Sequence, residues 1–244
     1  ILLVSPPIIA LAYKCYVSHR LFKWHLSLHI RDWGLMRTIF IQALGYLSFP
    51  VCNAIILQGF TLVVNKFFGA DTVVLYNTTR TMCNFIKTLL ATVLHSAWPE
   101  FSIAYGERNT ARMSSLYYKS IKVSVLGAIV ISLGILIFGP WIYSIWTHGQ
   151  IPFDYSLTMA FLVVLVINTF WNTGCVVLIA TNNHIELGLL DLFATILSII
   201  AAVIVAQYTH SISAMVYCTL FIDVILTIFV HKKFKTILLK VAES

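Results

Sequence analysis

Six runs of predominantly apolar residues, each about twenty or more long, follow one another along the chain, and a run of that kind is long enough to cross a bilayer as a helix. They are Leu35–Val64, Thr72–Trp98, Leu116–Ile137, Ser156–Ala180, Ile185–Ala206 and Ser211–Val230. Barrel strands alternate in polarity over about ten residues; these runs do not, so the spans are helical. With 59% hydrophobic and 10% charged residues and a mean hydropathy of +0.90, the chain lies far from soluble domains, in which about a quarter of residues are charged. The expected fold class is an all-α integral membrane protein with a six-helix transmembrane bundle. A seventh run, Ile1–Val17, is short and begins in apolar sequence with neither Met nor a basic flank. It lacks the basic start and small-residue cleavage site of a signal peptide. It is read as a truncated transmembrane helix, in a fragment whose N-terminal part is missing.

The loops orient the spans. Lys and Arg outside the spans or in their end turns cluster at Arg20, Lys23, Arg31 and Arg37, then at Arg108, Arg112, Lys119 and Lys122, then at Lys232, Lys233, Lys235 and Lys240. The intervening turns, near Lys66 and Asp71, near Asp154 and near His210, carry little or no positive excess. Basic loops alternate with non-basic ones, and the positive-inside rule assigns the basic set and the C-terminus to the cytoplasm. The net charge of +7 follows from this topology and calls for no nucleic-acid partner. Residues 18–34 mix His19, Arg20, Lys23 and Arg31 with Leu21, Phe22, Trp24 and Trp33, a composition suited to the headgroup region. The expected organisation is a truncated helix at 1–17, a basic interfacial linker at 18–34, a helical lobe at 35–231 and a basic cytoplasmic tail at 232–244.

The run Thr72–Trp98 differs from the others. At 100° per residue, Asn77, Arg80, Thr81, Asn84, Lys87, Thr88 and His95 fall within an arc of roughly 120°, opposite Leu75, Ile86, Leu89, Leu90 and Val93. Arg or Lys at the centre of a span costs about 2.5–3.5 kcal/mol on insertion scales, so this stripe is expected to face protein, water or a bound anion. Other polar groups sit inside spans. Asp191 lies about two turns into its helix, Asp223 lies near the middle of the last one, and Asn168 and Asn172 share a face. Two roles are open to the acids: pairing with Arg80 or Lys87, or a functional site. The amides can likewise tie helices together or line a path.

Cys15, Cys52, Cys83, Cys175 and Cys218 lie in spans and form no CxxC pair, so they are read as small packing residues. There is no HExxH; His184 and Glu186 stand two apart and do not share a helix face. Neither a metal site nor another cofactor is indicated, and no local spacing suggests a catalytic triad, which makes an enzyme the weaker class. Pro50 is expected to kink the long first span, Pro99 to end the charged helix and Pro140 to mark the end of the third span.

The run Phe67-Phe68-Gly69-Ala70-Asp71, followed by Tyr76-Asn77 and Arg80, resembles a turn and helix of the polysaccharide (O-antigen type) flippases of the multidrug/oligosaccharidyl-lipid/polysaccharide exporter superfamily. Trp98-Pro99-Glu100-Phe101-Ser102, Trp146-Thr147-His148-Gly149 and Ala180-Thr181-Asn182-Asn183-His184 are similar to stretches of the same family's second half. The resemblance covers nearly the whole chain. It implies two six-helix lobes facing across a central cavity, this chain holding the second lobe, the inter-lobe linker and the tail of the helix before it. It also implies an activity: moving a lipid-linked oligosaccharide, of undecaprenyl-pyrophosphate type, between leaflets of the bacterial inner membrane by alternating access.

On that reading Arg80 and Lys87 neutralise phosphates, and Asn77 and Asn84 hydrogen-bond phosphate or sugar. Asn168, Asn172 and Trp171 line the facing wall, and Asp191 or Asp223 either couples movement to a proton or Na⁺ or serves as a counter-ion. The implied partners are the anionic lipid-linked glycan, membrane lipids and polysaccharide-assembly proteins. A cation-coupled drug or metabolite exporter of the same superfamily is the alternative, and its acidic, aromatic walls are disfavoured by the basic stripe. An intramembrane glycosyl- or acyltransferase is a third.

Overall fold

The computed structural model describes residues 5–22 and 32–243, and every regular element among them is a helix. The helices are α1 (Ser5–Phe22), α2 (Trp33–Phe68), α3 (Ala70–His95), α4 (Trp98–Gly106), α5 (Thr110–Trp146), α6 (Tyr155–Ala180), α7 (Ile185–Thr209), α8 (Ile212–Tyr217) and α9 (Thr219–Glu243). The chain divides into two compact units, one ending at Ile39 and one beginning at Phe40. The first contains α1 and the opening turns of α2, where Asp32 Oδ1 accepts the Leu35 N–H at 3.0 Å and caps the helix. Most of the basic linker expected at 18–34 lies outside the described residues; its first part continues α1 and its last part opens α2.

In the second unit α6 is the central helix. It packs on α3, α4, α5, α8 and α9, and α7 packs on α8 and α9. The local signals for these helices are the ones helices need. Asn109 and Asp154 accept N–H groups of the first turns of α5 and α6 at 2.9 and 3.0 Å, and Ser211 does the same for α8 at 3.3 Å. Gly69, at φ 88°, supplies the left-handed turn from α2 into α3.

Among the described residues five segments are long and apolar enough to cross a membrane: α2, α5, α6, α7 and the α8–α9 tract. The sixth expected span is present as the 26-residue α3, but its stripe of charged and polar side chains sets it apart from that group. Three boundaries differ from expectation. α5 continues through Pro140 to Trp146; a proline removes only one backbone donor, and close neighbours such as the Phe153 ring against Gly139 hold the helix on course. α3 stops at His95, and Pro99 sits in the first turn of α4, where its missing N–H needs no partner. The last span breaks at Cys218, whose carbonyl accepts a hydrogen bond from Ser198 Oγ at 3.2 Å.

Within the basic segment expected at 232–244, the described residues 232–243 are helical and packed. α9 runs on to Glu243, and Phe234, Ile237 and Val241 recur at helical spacing on a buried face. Phe234 stacks on Tyr117 of α5 with ring centres 3.9 Å apart, and Ile237 and Val241 join a core with Ala104 and Met113. Lys233 pairs with Glu186 at 2.6 Å, bracing α9 against the start of α7.

Two glycines permit close helix approach. A Cβ on Gly174 would lie 2.2 Å from Val230 Cγ1, and one on Gly188 would lie 2.0 Å from Ser48 Oγ and 2.7 Å from the Gly45 carbonyl oxygen. At Gly188 the Ser48 hydroxyl could swing aside, but the Gly45 carbonyl is backbone and cannot. Gly188→Ala is therefore expected to destabilise the protein by about 1–3 kcal/mol, read as a lower melting temperature of the purified protein, with Gly106→Ala, which meets nothing within 4 Å, as the control.

Candidate functional site

Residues of α2, α3, α6, α7, α8 and α9 line a cavity of about 310 Å³. The arrangement follows from how α3 is oriented. Its buried face carries Tyr76, Thr79, Cys83 and Ile86, its exposed polar face carries Thr81, Asn84, Thr88 and His95, and Arg80 and Lys87 sit on the border between the two. From that border their long side chains reach into the cavity rather than into lipid. The opposing wall comes from α6, α7 and α9, which contribute Asn168, Trp171, Asn172, Asp191 and Asp223.

Eight of the nine residues singled out in the sequence line this space: Arg80, Asn84, Lys87, Asn168, Trp171, Asn172, Asp191 and Asp223. Asn77 does not. It lies nearer the Gly69 end of α3, half-buried, where its Oδ1 accepts from Thr61 Oγ1 of α2 at 3.4 Å. The cavity therefore carries two cations and two carboxylates, and its four formal charges cancel.

These groups divide into committed and uncommitted ones. Arg80 donates from Nη1 to the Leu57 carbonyl at 2.8 Å and to Thr61 Oγ1 at 3.0 Å, and its guanidinium lies 5.1 Å from the centre of the Tyr76 ring. It ties α3 to α2 and makes no ion pair with either acid within 4.0 Å. Asp223, buried, accepts two hydrogen bonds on the same oxygen, Oδ1: from Asn168 Nδ2 at 2.7 Å and from Trp171 Nε1 at 2.7 Å. Bonds of that length to an ionised acceptor are strong. Asn168 and the indole N–H, expected to face cargo, are thus engaged with an acid of the same wall.

Lys87 has no hydrogen bond and no ion pair within 4.0 Å among the described residues. It interacts electrostatically with Asp223 and Asp191 across the cavity. Asp191, also buried, lies against Cys52 and Thr195. The side-chain amides of Asn84 and Asn172 make no hydrogen bond among the described residues. The choice the sequence left open for the acids resolves unevenly: neither forms a close pair with a cation, Asp223 is held by neutral donors, and Asp191 is balanced at longer range.

Several contributors had no signal in the sequence. The Leu57 carbonyl is backbone, Thr61 is one Thr among many, and Cys52, Cys83 and Cys175, read as packing residues, are buried in the cavity wall. Away from the cavity, His184 is buried and its Nε2 is 3.1 Å from the Gln42 carbonyl, fastening the α6–α7 turn to α2. Among the described residues no three His, Cys, Asp or Glu side chains are grouped so as to hold a metal.

This bundle and cavity have the fold of one lobe of the MATE transporters. The chain superposes on a MATE structure in the bent conformation with a TM-score of 0.76 at 16% identity, covering 94% of this chain and 54% of that one. It superposes on the outward-facing conformation of a multidrug resistance MATE family transporter of the MOP superfamily at 0.72 and 14% identity, covering 96% and 55%. A MOP superfamily transporter from Pyrococcus furiosus, described as having a binding pocket of reverse polarity that suggests a different function, is similar at 0.70 and 16% identity, covering 93% and 54%. The chain thus spans about half the length of these transporters. No family model and no curated protein matches the sequence. Fold and apolar helices together make it a multi-pass membrane protein.

The long-range balance at Lys87 is measurable. Lys87→Gln, Asp191→Asn and the double variant should show a coupling of about 0.5–3 kcal/mol, seen as non-additive changes in unfolding midpoint, whereas additive changes would mean that the two groups do not sense one another.

Proposed function

We propose that the chain forms the second lobe of a transporter that moves an anionic lipid-linked oligosaccharide, of undecaprenyl-pyrophosphate type, from the cytoplasmic to the periplasmic leaflet by alternating access. The product would feed cell-surface polysaccharide synthesis. The observation that carries this reading is Lys87: an ammonium with no hydrogen bond or ion pair among the described residues, in a cavity wall beside the uncommitted amides of Asn84 and Asn172. A pyrophosphate and its glycan cannot cross hydrocarbon unaided. A cation flanked by amides replaces part of the lost hydration by charge-assisted hydrogen bonds.

On this reading Lys87 meets the phosphate, Arg80 shapes the wall as well as adding positive potential, and the exposed polar face of α3 turns toward the other lobe. On the same reading a first lobe, joined through residues 18–34, would complete a transporter of which this chain spans about half the length of the matched structures. The membrane would be the bacterial cytoplasmic membrane, with the basic loops and C-terminus inside. Membrane lipids and polysaccharide-assembly proteins would be its neighbours.

Asp191 and Asp223 favour a second reading, a cation-coupled exporter of drugs or metabolites, because buried acids in the same wall suit a cationic cargo. The multidrug transporter of the same fold lends weight to it. Cargo polarity separates the two.

The deciding experiment is complementation, using the full-length gene, of a strain lacking its polysaccharide flippase. The wild type should restore surface glycan. Lys87→Gln, at unchanged expression, should lower restoration by about tenfold or more, the loss of roughly one charge-assisted hydrogen bond. Failure of the wild type across several glycan types, with drug efflux in its place, would establish the exporter instead.

A further inference from the structure

We propose that Asp223 is a positioning residue that holds Trp171 and Asn168 as a preformed subsite for a pyranose ring, so that the cavity recognises the glycan and not only its phosphate. This rests on the lipid-linked-oligosaccharide reading above. The geometry that points to it is the convergence of two donors on one oxygen. Asn168 Nδ2 and Trp171 Nε1, three residues apart on α6, both reach Asp223 Oδ1 of α9 at 2.7 Å.

Indole has a single polar atom, the Nε1 donor. With that atom bound to a buried carboxylate, the ring cannot turn in its site without breaking a charge-assisted bond. One part of Trp171 packs on the core that includes Leu226 and Val230, while the residue also lines the cavity. An aromatic surface at a cavity wall is thereby fixed in orientation before any ligand arrives, which removes an ordering cost from binding.

The groups around it match the chemistry of a sugar. A pyranose offers an apolar C–H face for an aromatic ring and hydroxyls at its edge that both donate and accept. Asp223 Oδ2 receives no hydrogen bond among the described residues and is an acceptor for such a hydroxyl. Asn172, next to Trp171 and four residues from Asn168, keeps an unused amide with donor and acceptor. Lys87, on the facing helix, lines the same cavity and supplies the phosphate contact. Phosphate and first sugar are covalent neighbours in the cargo, as the two contact sets are in the cavity.

A carboxylate that positions a ring differs from one that carries an ion in what its amide isostere does. Asparagine keeps one oxygen able to accept both bonds, loses the charge and sets an amide donor in place of Oδ2, which a sugar hydroxyl, itself donor and acceptor, still meets. The full-length protein is titrated with polyprenyl pyrophosphate and with the same lipid bearing an oligosaccharide. The wild type should bind the glycosylated lipid about tenfold more tightly, the scale of one aromatic contact plus a hydrogen bond. Trp171→Leu should abolish that preference while leaving affinity for the bare pyrophosphate lipid within about twofold. Asp223→Asn should retain the preference, and Asp223→Leu should lose it without further loss when combined with Trp171→Leu.

The protein has six tryptophans, so the emission of Trp171 is taken as the difference between wild type and Trp171→Phe. It should change with the glycosylated lipid alone, and should still do so in Asp223→Asn. Equal affinity of the wild type for both lipids overturns the subsite and leaves the anionic-lipid reading standing. Asp223→Asn behaving like Asp223→Leu overturns the positioning role in favour of a charge-dependent one. Binding of neither lipid overturns both readings.

Discussion

Charge inside an apolar bundle is the constraint around which this molecule is arranged. Each Arg or Lys at mid-membrane costs about 2.5–3.5 kcal/mol on insertion scales, and burying an acid is no easier. Arg80, Lys87, Asp191 and Asp223 nevertheless meet in one cavity. They are stabilised in three ways. Arg80 is met by a backbone carbonyl, a hydroxyl and an aromatic face; Asp223 by an amide and an indole; and Lys87 and the two acids by their mutual field across the cavity, in which Asp223 acts on Lys87 ahead of Asp191. The absence of a close ion pair among these four has a physical rationale. A tight buried pair gains its Coulomb energy only by desolvating both partners, a cost that balance at longer range across a polar cavity lowers.

The rest of α3 lowers its own polarity. Thr78, Thr81, Thr88 and Thr92 each donate their hydroxyl to the carbonyl four residues earlier, at 2.7 to 2.9 Å. Those hydroxyls are spent within the helix, a common way for threonine to sit in an apolar environment. What remains polar on the exposed side is Asn84 and His95, in line with Lys87. A stripe that looks uniform in sequence is thus graded in the hydrogen bonds it leaves unmade. Around it, α6 packs on α3, α4, α5, α8 and α9, and Gly174 lets α9 approach closely enough for Asp223 to reach Asn168 and Trp171.

Much of this was legible in residue order. The spans, the polar stripe and the acids at 191 and 223 all follow from periodicity and from the cost of charge in hydrocarbon. Other features were not, and the reasons differ. Pro140 does not end α5, because packing can hold a helix through the loss of one hydrogen bond. Residues 232–244 read as a basic tail, yet Phe234, Ile237 and Val241 at helical spacing carried the signal of a buried face. Asn77 shares the stripe's angle with Arg80, but it lies outside the cavity lining and its oxygen accepts from Thr61 of α2. The Leu57 carbonyl could not be seen at all, since any residue type supplies the same acceptor.

The sequence alone determined that the chain is helical and membrane-spanning, and that α3 must hide two cations from lipid, because both conclusions depend only on the hydropathy and spacing of side chains along one helix. Tertiary structure decided which polar groups use each other up. Hydrogen bonds between helices depend on approach distances of a few tenths of an ångström, set here by glycines and aromatic contacts from distant parts of the chain. That is why Arg80 and Asn168 turn out to be occupied by their neighbours, and why Lys87 does not.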